Sequence, residues 1–231
     1  MKFWTIFTTC ALAVCLFGGR LELGIPHLSG IFKMVASFGF IALAIRAGAK
    51  QSPYGKWVLA GLFFSWWGDL FLIYSAQSIF LMGLVSFLLG HVCYAIAFSV
   101  HGIRPAYSLA AAVALLPVVY VVFQWLNPHL GDMRIPVYAY MTVITAMVIL
   151  SAGAWGKNGT WLMLAAAVLF WVSDIMVAKS RFVSPAWWNG LIGLPLYYGG
   201  QVVFGWSVYA MLRKRTAQTQ AAEINPSETP A

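Results

Sequence analysis

Eight long apolar runs, separated by short turns, constrain this chain more than any motif in it. A helix needs about 20 mainly apolar residues to cross a bilayer core. Inside lipid, a helix or a closed barrel is the spanning structure that pairs every backbone polar group. The runs cover residues 3–19, 29–46, 57–74, 79–99, 106–125, 135–154, 159–178 and 187–211. Breakers and charges fill the gaps, as in GRLELGIPH (19–27), AGAKQSPYGK (47–56), HGIRP (101–105), NPHLGDMRIP (127–136) and GKNG (156–159). Of the 231 residues, 61% are hydrophobic and 9% charged, against about a quarter charged in a soluble domain. The pattern predicts an all-α polytopic membrane protein with eight transmembrane helices over residues 1–211. Residues 212–231 are polar and aperiodic and are expected to form a disordered tail.

The net charge of +8 is no nucleic-acid signal here, because Lys and Arg in membrane proteins collect in loops and set orientation. Nine basic residues (Lys2, Arg46, Lys50, Lys56, Arg104, Lys157, Arg213, Lys214, Arg215) fall on the N-terminal side. Five (Arg20, Lys33, Arg134, Lys179, Arg181) fall on the other. Both termini are therefore expected in the cytoplasm, with the chain in a bacterial inner membrane. The first run is expected to be a retained helix rather than a cleaved signal. Cys10, Cys15 and Cys93 sit in apolar stretches without metal spacing or a disulfide framework, so they read as small buried hydrophobes.

Six acids occur in the chain. Glu22 and Asp132 fall in loops and Glu223 and Glu228 in the tail, which leaves Asp69 and Asp174 within apolar spans. A carboxylate there costs roughly 2.5–3.5 kcal/mol on insertion scales. Helix-bonding alone averages about 0.6 kcal/mol, a poor offset, so chemistry is the better explanation. The two settings are alike, SWWGDLFLI and FWVSDIMVA. Each is followed by a short turn and a helix with a polar mid-point, His91 in FLLGHVCY and Gln201 in YYGGQVVF. The chain thus reads as a four-helix unit used twice in parallel. At helical spacing, Phe87, His91 and Tyr94 share one face of their helix, as do Tyr197, Gln201 and Gly205. Lys33 with Ser37, and Tyr140 with Met147, do the same on theirs. The acids, Lys33 and Tyr140 are expected in the non-cytoplasmic half, with His91 and Gln201 nearer the midplane. Lys179 and Arg181 are placed at headgroup level, where lipid phosphate lies. Four scattered histidines lack HxxxH or HExxH spacing, and GxSxG, P-loop and dinucleotide motifs are absent. No metal or cofactor is implied, nor any particular protein partner.

FSWWGDLFLI with FLMGLVSFLLGHVCYAIAF, and FWVSDIMVAKSRF with LPLYYGGQVVF, resemble the YhhN family of integral-membrane lysoplasmalogenases. The resemblance covers about residues 30–210 and takes in IFKMVASF and YAYMTVITAM. It implies an eight-span protein that hydrolyses the vinyl-ether bond of a lysoplasmalogen. The products would be a fatty aldehyde and a glycerophospho-ethanolamine or -choline. Asp69 and Asp174 match the family's acidic positions, and Lys33, His91, Tyr94, Tyr140 and Gln201 match other motif positions. Met34 replaces the proline common after the lysine, and Lys179 stands where an uncharged residue is usual.

Vinyl-ether hydrolysis needs a proton on the alkene carbon, then water on the resulting oxocarbenium ion. Paired carboxyls suit it: one stays protonated in an apolar setting and the other stays ionised. The sequence favours Asp69 as acid and Asp174 as base only slightly. Lys33 and Arg181 are assigned to phosphate, with the substrate and surrounding lipids as partners. The rival expectation is a proton-coupled transporter or lipid carrier using the same acids. A blander one is a structural protein whose acids only join helices.

Overall fold

A computed structural model describes residues 1–18, 28–74 and 76–224, excluding the side chains at positions 222 and 224. Eight α-helices appear among them: α1 (Lys2–Gly18), α2 (Leu28–Arg46), α3 (Pro53–Phe71), α4 (Gln77–His101), α5 (Pro105–Leu126), α6 (Arg134–Gly156), α7 (Trp161–Ala178) and α8 (Trp187–Ile224). No strand occurs among the described residues. Helix starts follow local chemistry. Ser52 caps α3 by accepting from the Gly55 N–H at 3.0 Å, and Pro53 and Pro105 occupy first-turn positions. α4 ends at Gly102, whose φ of +103° suits a residue without Cβ.

Five segments are long and apolar enough to cross a membrane: Leu28–Arg46, Gln77–His101, Pro105–His129, Gly131–Gly156 and Trp161–Val183. α1 is a shorter apolar helix. Two boundaries differ from expectation. α7 runs into a π-helical turn, Lys179–Val183, before α8. α8 does not stop at residue 211 but stays helical to Ile224, through the polar stretch expected to be disordered. Good helix formers such as Leu212, Arg213, Lys214, Gln218 and Glu223 account for this locally. Residues 225–231, and the 19–27 connection with Arg20 and Glu22, lie outside the described residues.

The helices pack in pairs, α1 with α2, α3 with α4, α5 with α6 and α7 with α8. Across the pairs, α4 lies on α6 and α8 lies on α2. The centre is an aromatic core in which Tyr94 and Phe204 stack at 4.1 Å with a 15° interplanar angle. Small residues permit the close approach: a Cβ on Gly61 would overlap the Tyr94 ring, and one on Gly68 the Phe87 ring. α5 lies at the periphery, with Leu109, Val113, Tyr120 and Val121 exposed. Such an apolar exterior suits lipid rather than water.

Candidate active site

Asp69 lies near the end of α3 and is 1% exposed. Its Oδ2 accepts from Ser37 Oγ at 2.6 Å and from Tyr197 OH at 2.7 Å. Its Oδ1 faces the Lys33 ammonium at 3.3 Å. Lys33 and Ser37 come from successive turns of α2, and Tyr197 from α8. Tyr198 completes the shell, with its hydroxyl 3.0 Å from Ser37 Oγ and donating to the Lys33 carbonyl at 2.9 Å. Three donors converge on a single buried carboxyl, an arrangement that suits the ionised form.

Asp174 has a different environment. Its side chain is 19% exposed. Tyr140 OH, from α6, donates to Asp174 Oδ2. His91, from α4 and fully buried, places Nε2 at 2.8 Å from Tyr140 OH and 3.4 Å from Asp174 Oδ2. The His91 ring is held edge-on to Phe170 at 4.6 Å. Asp174, Tyr140 and His91 thus form a short chain of exchangeable protons from the cavity into the core.

Both acids line one cavity of about 510 Å³. Lys33, Tyr140, Tyr197 and Arg181 line it too, with an apolar wall that includes Leu84, Phe87, Val137, Ile144 and Leu194. Arg181 is carried by the π-helical turn, with its guanidinium 4.5 Å from the Phe80 ring centre. Lys179 lies over the Trp188 ring at 3.6 Å. Of the candidates read from the sequence, Asp69, Asp174, Lys33, Tyr140, Tyr197 and Arg181 therefore meet in one space. His91 stands behind Tyr140. Tyr94 and Gln201 pair with each other at 2.8 Å, deeper in the core and away from the cavity. Lys33, expected to hold phosphate, has its ammonium against Asp69.

Sequence reasoning placed Ser37 only on a polar strip; its position one turn after Lys33 was the available signal. Tyr198, next to Tyr197, carries no periodicity signal of its own. Asn189 is also missed: it is 2% exposed, lines the cavity, and donates to the Ser184 carbonyl at 2.9 Å.

The polar partners differ, but the helix framework around the two acids corresponds. Asp69 on α3 is held by α2 and α8; Asp174 on α7 is contacted by α6 and α4. A Cβ on Gly90 would lie 3.1 Å from Gly61 O, 3.3 Å from Ser65 Oγ and 3.8 Å from Phe64 Cβ. One on Gly200 would lie 3.2 Å from Ala166 O, 3.3 Å from Phe170 N and 3.4 Å from Leu169 Cβ. These neighbours sit at the same intervals, eight, four and five residues, before Asp69 and before Asp174.

Apolar helices around a cavity lined by two carboxyls and two basic side chains define a helical membrane protein with a charged site behind an apolar wall. The chain belongs to the YhhN family, which matches residues 28–208. It is 32% identical over 168 residues to the lysoplasmalogenase TMEM86A of Bos taurus, an alignment covering 67% of this chain and 66% of that protein. It is 29% identical over 206 residues to the lysoplasmalogenase of Mycobacterium tuberculosis, covering 80% and 78%. The lysoplasmalogenase TMEM86B of Homo sapiens is 32% identical over 136 residues, covering 59% and 56%. The alignment thus spans just under two thirds of the bovine protein. No solved structure matches.

Proposed function

We propose that this protein is a membrane-embedded hydrolase that cleaves the vinyl-ether bond of lysoplasmalogens, releasing a fatty aldehyde and a glycerophospho-ethanolamine or -choline. The observation that carries the reading is that Asp69 and Asp174 open into one cavity while sitting in unlike surroundings. Unlike surroundings separate two carboxyls into two roles. The names of the relatives supply the substrate class.

The polar partners favour Asp174 as the acid and Asp69 as the ionised partner, the reverse of the slight preference drawn from the sequence. Asp69 is encircled by donors. Asp174 touches the cavity and is hydrogen-bonded by Tyr140, behind which His91 stands, so its proton can be shared along that chain. The proton of Asp174 goes to the alkene carbon, and the cation that forms is stabilised by the carboxylates. Asp69 takes a proton from the attacking water. The hemiacetal then collapses as Asp174 accepts its hydroxyl proton and Asp69 returns a proton to the leaving glycerol oxygen. Both groups end as they began. Arg181 holds the phosphate at the mouth, and the apolar wall takes the alkenyl chain.

All eight helices are proposed to span the membrane as two parallel four-helix repeats, with both termini cytoplasmic. The matched neighbours of Gly90 and Gly200 support the repeat. Trp206 Nε1 donating to Thr5 Oγ1 at 3.1 Å supports termini on one side.

The test is purified protein in nanodiscs, supplied with lysoplasmalogen and assayed for aldehyde. Asp69→Asn and Asp174→Asn should each lose on the order of 10²-fold or more in kcat. Wild-type turnover in both would overturn the paired-acid mechanism. Ion or lipid flux with no aldehyde would instead indicate a transporter.

A further inference from the structure

We propose that Lys33 is a latent aldehyde-reactive amine in the product's cavity, and that its ion pair with Asp69 shields it from covalent capture of a long-chain aldehyde. The proposal rests on the hydrolase reading for its biological setting. That reaction delivers an aldehyde into the cavity lined by both acids, and Lys33 lines the same cavity. A lysine side chain there, 14% exposed, is within the space the product occupies. An apolar wall holds the aldehyde chain and raises its local concentration at the amine.

Only the neutral amine attacks a carbonyl, because an ammonium has no free electron pair. Asp69 Oδ1 lies 3.3 Å from Lys33 Nζ, so a negative charge is set directly against the ammonium. Ser37 and Tyr197 both donate to the other carboxylate oxygen, which holds that charge in place facing the lysine. Replacing Asp69 by Asn takes away the carboxylate 3.3 Å from Lys33, which favours the neutral amine, with its proton released to solvent. The freed amine then attacks the aldehyde carbon to form a carbinolamine. Loss of water gives the imine. Added cyanoborohydride transfers hydride to the imine carbon and fixes a secondary amine.

The measurement is peptide mass mapping after incubating the full-length protein in nanodiscs with hexadecanal and cyanoborohydride. Exposed Lys50 serves as the internal reference. In wild type, Lys33 should be alkylated less than Lys50. In Asp69→Asn the Lys33 to Lys50 ratio should rise at least about tenfold. It should also exceed the ratio in heat-unfolded wild type, since unfolding exposes Lys33 but destroys the cavity. Heavy wild-type labelling at Lys33, or an Asp69→Asn ratio no higher than the unfolded reference, overturns the proposal. The aldehyde is supplied directly, so the outcome does not depend on turnover. Capture in Asp69→Asn with no aldehyde release from lysoplasmalogen by wild type would sink the hydrolase reading alone, and release by wild type with no capture in Asp69→Asn would sink this one alone.

Discussion

Tyr140 ties His91 to Asp174, and its loss should separate the two without emptying the core. Tyr140→Phe keeps the ring and removes the hydroxyl that links them. The expected result is a fall in kcat of about 10- to 100-fold, with KM changed less than about twofold. Steady-state aldehyde release would measure both, and an unchanged kcat would remove Tyr140 from the proton path. The sequence made the acids legible because a charge in an apolar run is costly and therefore conspicuous. It did not reveal which neighbours each would have. Ser37, Tyr197 and Lys33 reach Asp69 from two other helices, at separations of 32 to 128 residues for the hydrogen bonds. Pairing over such distances is a property of packing, not of local pattern.

At the scale of elements, the α3–α4 contact depends on glycines facing rings. Gly61→Ala would drive a methyl into the Tyr94 ring, which is itself stacked on Phe204. Overpacking of this kind costs typically about 1–3 kcal/mol, so the thermal midpoint in detergent should drop. Gly199→Ala on α8 is the control, since nothing lies within 4 Å of its added Cβ. Its midpoint should stay level or rise, because alanine is favoured over glycine in a helix by about 1 kcal/mol. Equal losses in both variants would mean that helix flexibility, not ring contact, sets the effect. Helix positions were readable from apolar runs, as α2 and α5 illustrate, each within a residue of expectation at both ends. The π-helical turn after Ala178 and the helical continuation to Ile224 were not readable. Both occur where hydropathy falls away, so the pattern that locates a span no longer reports on the backbone.

For the whole molecule, the eight-span reading predicts a definite sidedness. Single cysteines replacing Lys157 and Lys214 should react together with an impermeant thiol reagent from the cytoplasmic side of inverted vesicles, in a background lacking the native cysteines. One replacing Arg134 should react only from the opposite side. Reaction of all three from the same side would break the proposed topology. Lys214 already donates to the Asn158 carbonyl at 2.9 Å, which brings the α6–α7 turn and the end of α8 together at one end of the bundle.

The sequence by itself determined the solvent this protein folds in and the helical class, because lipid leaves an apolar chain few ways to pair its backbone. It also singled out Asp69 and Asp174, which stand out against apolar surroundings. Tertiary structure alone decided how they differ. It set Lys33, Ser37 and Tyr197 around Asp69 and the Tyr140–His91 chain beside Asp174. It also sent Tyr94 and Gln201 to each other rather than to the cavity. The physical reason is that the cost of a buried charge is local, whereas the groups that compensate it come from whichever helices pack alongside.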